Sequence, residues 1–248
     1  LRTYHGNENV ITNRDNAMDN LKQYMRYCGR KNIYVAECDI QKFFDSINHD
    51  VVKKCFAELE GKLKETHPEF EYEQVERILD AYLSSYSFYK NVLTINKENI
   101  RKGINKRFEA PKDEDFISRG CYSKEEFESA KVRIGIPQGG AISGLIANVV
   151  LNAVDNQTVL KKKDSEKFFS RYGDDILLMH TNKEECERLI NEYCQALTDS
   201  KLLYHELKSV NDEDVRRRGV LLRPAYWDIK SRKPFLWGRS KNQEEDQV

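Results

Sequence analysis

The chain has 248 residues, 39% hydrophobic and 33% charged, with 41 basic and 41 acidic side chains and a formal net charge of zero. That suits a soluble globular protein of one large or two small domains, and it excludes a uniformly cationic nucleic-acid binder while leaving local patches open. No run approaches the roughly 18 apolar residues of a membrane span, and no secretory leader opens the chain, which starts at Leu1 and reads as a piece of a longer protein.

In chain order, residues 14–28 form the first predicted helix, with Ala17, Leu21, Tyr24, Met25 and Cys28 at helical spacing and Gly29 as its stop. "NIYVAECDI", residues 32–40, follows as a β-rich strand that ends on Asp39. Asn48 or Asp50 caps a helix running to about Leu59, and residues 72–86 form another through Val75, Ile78, Leu79, Tyr82, Leu83 and Tyr86. Residues 97–130 are charged and weakly patterned, an insertion with no legible shape. "KVRIGIPQGG" predicts a short strand and a Gly/Pro turn, and the apolar "AISGLIANVVLNAVDNQTVL" opens a helix.

Residues 167–180 read as a hairpin with Gly173 and two aspartates at its tip. Residues 183–199 form an amphipathic helix, and "KLLYHEL" a further strand. Strands alternating with helices of varied length predict an α+β fold, an antiparallel sheet backed by helices. Between Asp212 and Lys241 the chain carries an excess of five positive charges interleaved with Tyr226, Trp227, Phe235 and Trp237. Such a stretch suits a nucleic-acid backbone, and equally a solvated hairpin with an apolar underside. The six cysteines show neither a CxxC pair nor metal-ligand spacing, as expected of reduced thiols in a cytoplasmic protein.

Asp39 closes a hydrophobic strand, and Asp174 and Asp175 sit side by side at a hairpin tip. A lone aspartate pair on a turn is usually a cap or a solvated pair. Brought beside a strand-end carboxylate, however, it would concentrate charge that needs a hard, oxygen-seeking cation, with Mg²⁺ the obvious one. Two such ions bridged by shared aspartates perform phosphoryl transfer.

The segments "AECDIQKFFDSINHD", "GIPQGGAISGLIANVVLN", "RYGDDILLM", "LLYHELKS" and "KPFLWGRS" resemble, in order, motifs A to E of reverse transcriptases. The likeness is greatest to the bacterial group of group II intron, retron and phage-defence enzymes, and covers about residues 4–240. It implies a polymerase palm with part of the fingers. It also implies an RNA-directed DNA polymerase that adds dNTPs to a primer 3′-hydroxyl, with two Mg²⁺ ions (Mn²⁺ as substitute), an RNA template and a DNA or RNA primer. A non-coding RNA partner and a role in antiviral defence fit the same branch, whereas oligomeric state is not legible.

Carried over by position, the resemblance makes Asp39 and Asp174 ligands of both metals, with the Ile40 carbonyl completing one shell and Asp175 a weaker contact near the primer end. Phe44 matches the steric gate beneath the sugar of the incoming nucleotide; its bland alternative is a core aromatic beside Phe43. Pro137, Gln138 and Gly139 match the turn against the nascent base pair, and Tyr172 joins them on the nucleotide side. Lys208 occupies the motif D lysine, a candidate proton donor to departing pyrophosphate. Phe235, Leu236, Trp237 and Gly238 approximate the primer grip.

The implied organisation is residues 1–31 as partial fingers leading into the palm, 32–60 as palm with motif A, and 61–131 as fingers-side helices and insertion. Residues 132–241 are palm with motifs B to E and 242–248 an acidic tail, with no thumb. "SGLIAN", where group II intron enzymes carry serine-proline, points to the diverged defence branch. Alternatives are an RNA-dependent RNA polymerase (against which Phe44 and the PQG turn stand), untemplated or protein-primed DNA synthesis, and a palm kept as a non-catalytic scaffold.

Overall fold

A run of alternating helices and strands becomes, in the computed structural model, seven strands and eight helices among the described residues. Described are residues 2–6, 8–11, 14–92, 95, 98, 101–103, 111–209 and 220–224, with backbone alone for 2–16 and 220–224. They divide into two compact units, which the chain visits alternately.

The first unit draws on Leu1–Asp39, Thr158–Cys194 and Tyr204–Val248 and contains every strand of the described residues. These are β1 (Arg2–Gly6), β2 (Glu8–Ile11), β3 (Tyr34–Cys38), β4 (Asp164–Tyr172), β5 (Asp175–His180), β6 (Leu207–Ser209) and β7 (Val220–Pro224). They form one sheet in the order β2-β1-β4-β5-β3-β7-β6. All neighbours are antiparallel except β3 and β7, which pair in parallel. Helix α1 (Arg14–Cys28) forms where predicted because Leu21, Tyr24 and Cys28 share one face. That face packs with Val35, Phe168 and Met179 from three strands. Gly29, at φ +59°, ends the helix by returning its N–H to the Met25 carbonyl at 3.2 Å.

The second unit spans Ile40–Gln157 and Gln195–Leu203 and is helical. It holds α2 (Phe43–Ser46), α3 (His49–Thr66), α4 (Tyr72–Ser85), a wide turn at Phe88–Val92, α5 (Asp113–Ser118), α6 (Lys124–Ala130) and α7 (Ala141–Gln157). Helix α8 (Lys183–Asp199) starts in the first unit and ends in the second. Asn48 is the cap of α3, its Oδ1 accepting from the N–H of Asp50 at 2.8 Å and of Val51 at 3.1 Å. The helix outruns the predicted stop near Leu59 and reaches Thr66, helped by Lys54–Glu58 and Glu60–Lys64 pairs one turn apart.

The segment 97–130, whose shape was not legible in the sequence, contains α5 and α6; Phe116, Tyr122 and Phe127 build a buried core there with Ile134 and Leu203. Two readings need correction. The strand predicted in "KVRIGIPQGG" shrinks to a single bridge between Ile134 and Asn48, because residues 131–133 close a helical turn. The strand predicted at "KLLYHEL" forms later, at Leu207–Ser209, since Leu202 and Leu203 are buried in a loop instead. The basic aromatic stretch after Asp212 lies outside the described residues except for the backbone of β7.

Candidate active site

Asp39 leaves β3 immediately after its last paired residue, Cys38, which faces Ile176 of β5. One step further along that antiparallel register lies Asp175, so a strand end and a hairpin end meet. The hairpin between β4 and β5 pairs Tyr172 with Asp175, leaving Gly173 and Asp174 as a two-residue tip. Gly173 has φ +63°, which only glycine adopts without a Cβ penalty, so a turn this tight needs it. Arg171, buried beneath the tip, donates from Nη1 to the Gly173 carbonyl at 3.0 Å and fixes the turn from inside.

Asp174 and Asp175 are both perturbed by their surroundings. Burial raises the Asp174 carboxyl above the usual aspartate range, and the charge of Asp39 adds to the rise. Asp175 is pushed up to about 6 by desolvation, then by Asp39, then by Asp174. Its side chain is open to water, so screening holds the energetic consequence well below what that shift would mean in a dry interior. The structure thus brings together the acidic trio drawn from residues 135 positions apart. Among the described residues, no group of three or more Asp, Glu, His or Cys side chains is placed so that it could hold a metal ion. The donor chemistry nonetheless fits a hard divalent cation, since every group is a carboxylate oxygen and the cluster carries repulsion that a cation relieves.

Two further groups hold Asp39. The His205 N–H donates to the Asp39 carbonyl at 2.8 Å, and His205 Nε2 lies 3.9 Å from Asp39 Oδ2. Sequence reading missed both His205 and Arg171. His205 stands inside "LLYHELKS", three positions before Lys208, and a histidine at that spot was the available signal. Lys208 stands on β6, with β7 between it and β3, so strand pairing does not set it beside the trio. Tyr172 flanks the tip with its side chain 68% exposed.

In the second unit, Phe44 is half-buried beside the fully buried Phe43, with ring centroids 5.4 Å apart. The pair therefore divides into one core ring and one partly open ring. The Phe44 carbonyl accepts from the Ile136 N–H at 2.8 Å, and the Ile47 carbonyl accepts from the Gly135 N–H at 2.8 Å. His49 Nε2, within 2.8 Å of the Gly135 carbonyl, donates the third bond. The segment carrying Phe44 and the segment leading to Pro137 are thereby stitched together. Gly135, at φ +94°, leaves no room for a side chain, because a Cβ there would lie 2.7 Å from that of Phe88. Beyond Pro137, Gln138 and Gly139 are exposed in a turn, with Gly139 at φ +85°. Ile40 is buried at the start of this unit. An apolar groove of about 740 Å³ between α3, α4 and α7 shares no residue with the acidic trio. Phe235, Leu236, Trp237 and Gly238 lie outside the described residues.

The sequence matches the family model described as "Reverse transcriptase (RNA-dependent DNA polymerase)" over residues 8–212. That span contains the acidic trio, the Pro137–Gly139 turn and Lys208. No curated protein matches the chain.

Proposed function

Because the chain belongs to the reverse transcriptase family, we propose that Asp39, Asp174 and Asp175 carry its polymerase chemistry. The enzyme is an RNA-directed DNA polymerase, a nucleotidyltransferase that takes an RNA template, a primer and dNTPs. The primer 3′-oxygen bonds to the α-phosphorus of the dNTP as the α–β bridging bond breaks. The hydroxyl gives up its proton and pyrophosphate departs. Catalysis of such a transfer is mostly positioning and neutralisation of charge on the phosphoryl oxygens.

The observation that carries the assignment is the register of β3, β4 and β5, which sets Asp39, one step past the Cys38–Ile176 pair, at the hairpin end that holds Asp174 and Asp175. Such a cluster opposes a triphosphate unless cations intervene. Asp39 and Asp174, with the Ile40 carbonyl and a weaker contribution from Asp175, would hold two Mg²⁺ ions (or Mn²⁺) that neutralise the phosphates and favour loss of the hydroxyl proton. Arg171 holds the tip in place from below, and the His205 N–H holds the backbone of Asp39. Phe44 would stand under the sugar and reject a 2′-hydroxyl, Gln138 and Tyr172 would face the nascent pair, and Lys208 would protonate pyrophosphate. The primer grip at 235–238 completes the reading.

Asp174→Asn keeps the shape of the tip and removes its charge. Incorporation of dNTP by the purified variant should fall about a thousandfold, equivalent to about 4 kcal/mol of transition-state stabilisation. Wild-type incorporation in that variant rejects the assignment. "SGLIAN" supports placement in the diverged bacterial branch, with antiviral defence as the setting and the cytoplasm as the place. No helix among the described residues is long and apolar enough to cross a membrane. Sequencing the cDNA made in infected and uninfected cells tests the setting, which is rejected if infection alters neither its template nor its amount.

A further inference from the structure

The turn carrying Gln138 is held by two hydroxyls, one on the helix that follows it and one on α4. The Pro137 carbonyl accepts a hydrogen bond from Ser143 Oγ. Ser143 Oγ in turn lies 2.6 Å from the Tyr82 hydroxyl. A serine hydroxyl has one hydrogen and a carbonyl only accepts, so the hydrogen of Ser143 goes to Pro137. The 2.6 Å contact must then be donated by Tyr82. A directed relay results, running from Tyr82 on α4 through Ser143 on α7 to the backbone of Pro137.

Burial makes the relay consequential. Ser143 is fully buried, whereas Gln138, Gly139, Gly140 and Ala141 are all exposed. Upstream, the chain is pinned by the bonds from Gly135 to Ile47 and from Ile136 to Phe44, each 2.8 Å. Downstream, the two hydroxyls lie directly under the turn: a Cβ on Gly140 would sit 3.3 Å from Ser143 Oγ and 3.6 Å from the Tyr82 hydroxyl. An exposed turn that must present one side chain needs anchors on both flanks, and the relay supplies the second.

We propose that Tyr82 is a positioning residue. Through Ser143 it fixes the Pro137–Gln138–Gly139 turn in the orientation that presents Gln138 to the incoming nucleotide. The inference rests on the reading above, in which this turn meets the nascent base pair. Its effect falls on nucleotide binding rather than on the chemical step, because the acidic trio is untouched.

The test measures dNTP incorporation by the full chain on a homopolymer RNA template with a DNA primer, together with thermal stability. Tyr82→Phe keeps the ring and deletes only the donor. It should raise KM for dNTP about three- to tenfold, the loss of one neutral hydrogen bond, with kcat within about twofold and the melting temperature unchanged. Ser143→Ala should raise KM at least as much, and the double variant no more than Ser143→Ala alone, since one break silences the relay. Gln138→Ala is the reference. If it raises KM while Tyr82→Phe leaves KM at the wild-type value, the relay is overturned and the reading of the turn stands. If Gln138→Ala also leaves KM unchanged, the reading of the turn fails and takes the relay with it. A Tyr82→Phe variant whose KM, kcat and melting temperature all deteriorate together overturns the inference too, because that is the mark of a merely structural tyrosine.

Discussion

Phe44 and Phe43 are chemically identical neighbours, and only their surroundings separate them: Phe43 is 2% exposed, while Phe44 keeps part of its ring open. An open ring is available to meet a sugar; a buried one is not. Phe44→Ala should therefore relax discrimination, raising the kcat/KM for rNTP relative to dNTP by about ten- to a hundredfold, the range expected when a steric exclusion of 1–3 kcal/mol is lifted. An unchanged ratio in a variant that still polymerises removes Phe44 from that role. The acidic residues of the candidate site stand out because ionised side chains at the end of a hydrophobic strand and on a tight tip are costly, but a lone aspartate pair reads equally as a cap, and only the resemblance to reverse transcriptases groups the three. Arg171 and His205 do not stand out. Their value lies in which backbone carbonyl each reaches, Gly173 and Asp39 respectively, and such pairings across space leave no mark on local composition.

Helices with a clean apolar stripe were legible to their ends. The limits of α1 and α8 match the predicted 14–28 and 183–199, since each carries a regular apolar stripe, and Gly29 marks the end of α1. The short α5 and α6 were missed because their aromatic residues serve a small core of their own rather than a regular stripe. A capping box was present all the same, with Ser123 accepting from the Glu126 N–H and Glu126 accepting from the Ser123 N–H. At the start of α3, His49 is buried, and desolvation lowers its pKa below the ordinary 6.5 despite its bond to the Gly135 carbonyl. The folded state therefore resists a proton that the unfolded state accepts. Stability from this group is complete above pH 6.5 and is lost as pH falls below that value toward the lowered folded pKa. His49→Gln, which can still donate to the carbonyl, should flatten this dependence. Urea unfolding of both proteins between about pH 7.5 and 5.5 checks it, and equal slopes would contradict it.

Strand order was the least legible feature of the molecule. Nothing local announces that β1 and β2 add to the edge of β4, or that β7 joins β3 in parallel. Those pairings are set by tertiary packing, and the N-terminal hairpin drew no prediction. Ion binding at the completed site should stabilise the whole fold. With dNTP and Mg²⁺ at about a hundredfold over their dissociation constants, linkage gives roughly 2.7 kcal/mol, or an upward melting shift of roughly 5–10 °C. Asp174→Asn should lose that shift, and an equal shift in the variant would place the ions elsewhere. The pairing of β3 with β5 also bears on synthesis at the ribosome. Asp39 emerges early, but its partners follow 135 positions later. A growing chain therefore carries one member of the acidic trio without the other two, and the cluster is complete only when the second hairpin strand has cleared the exit tunnel.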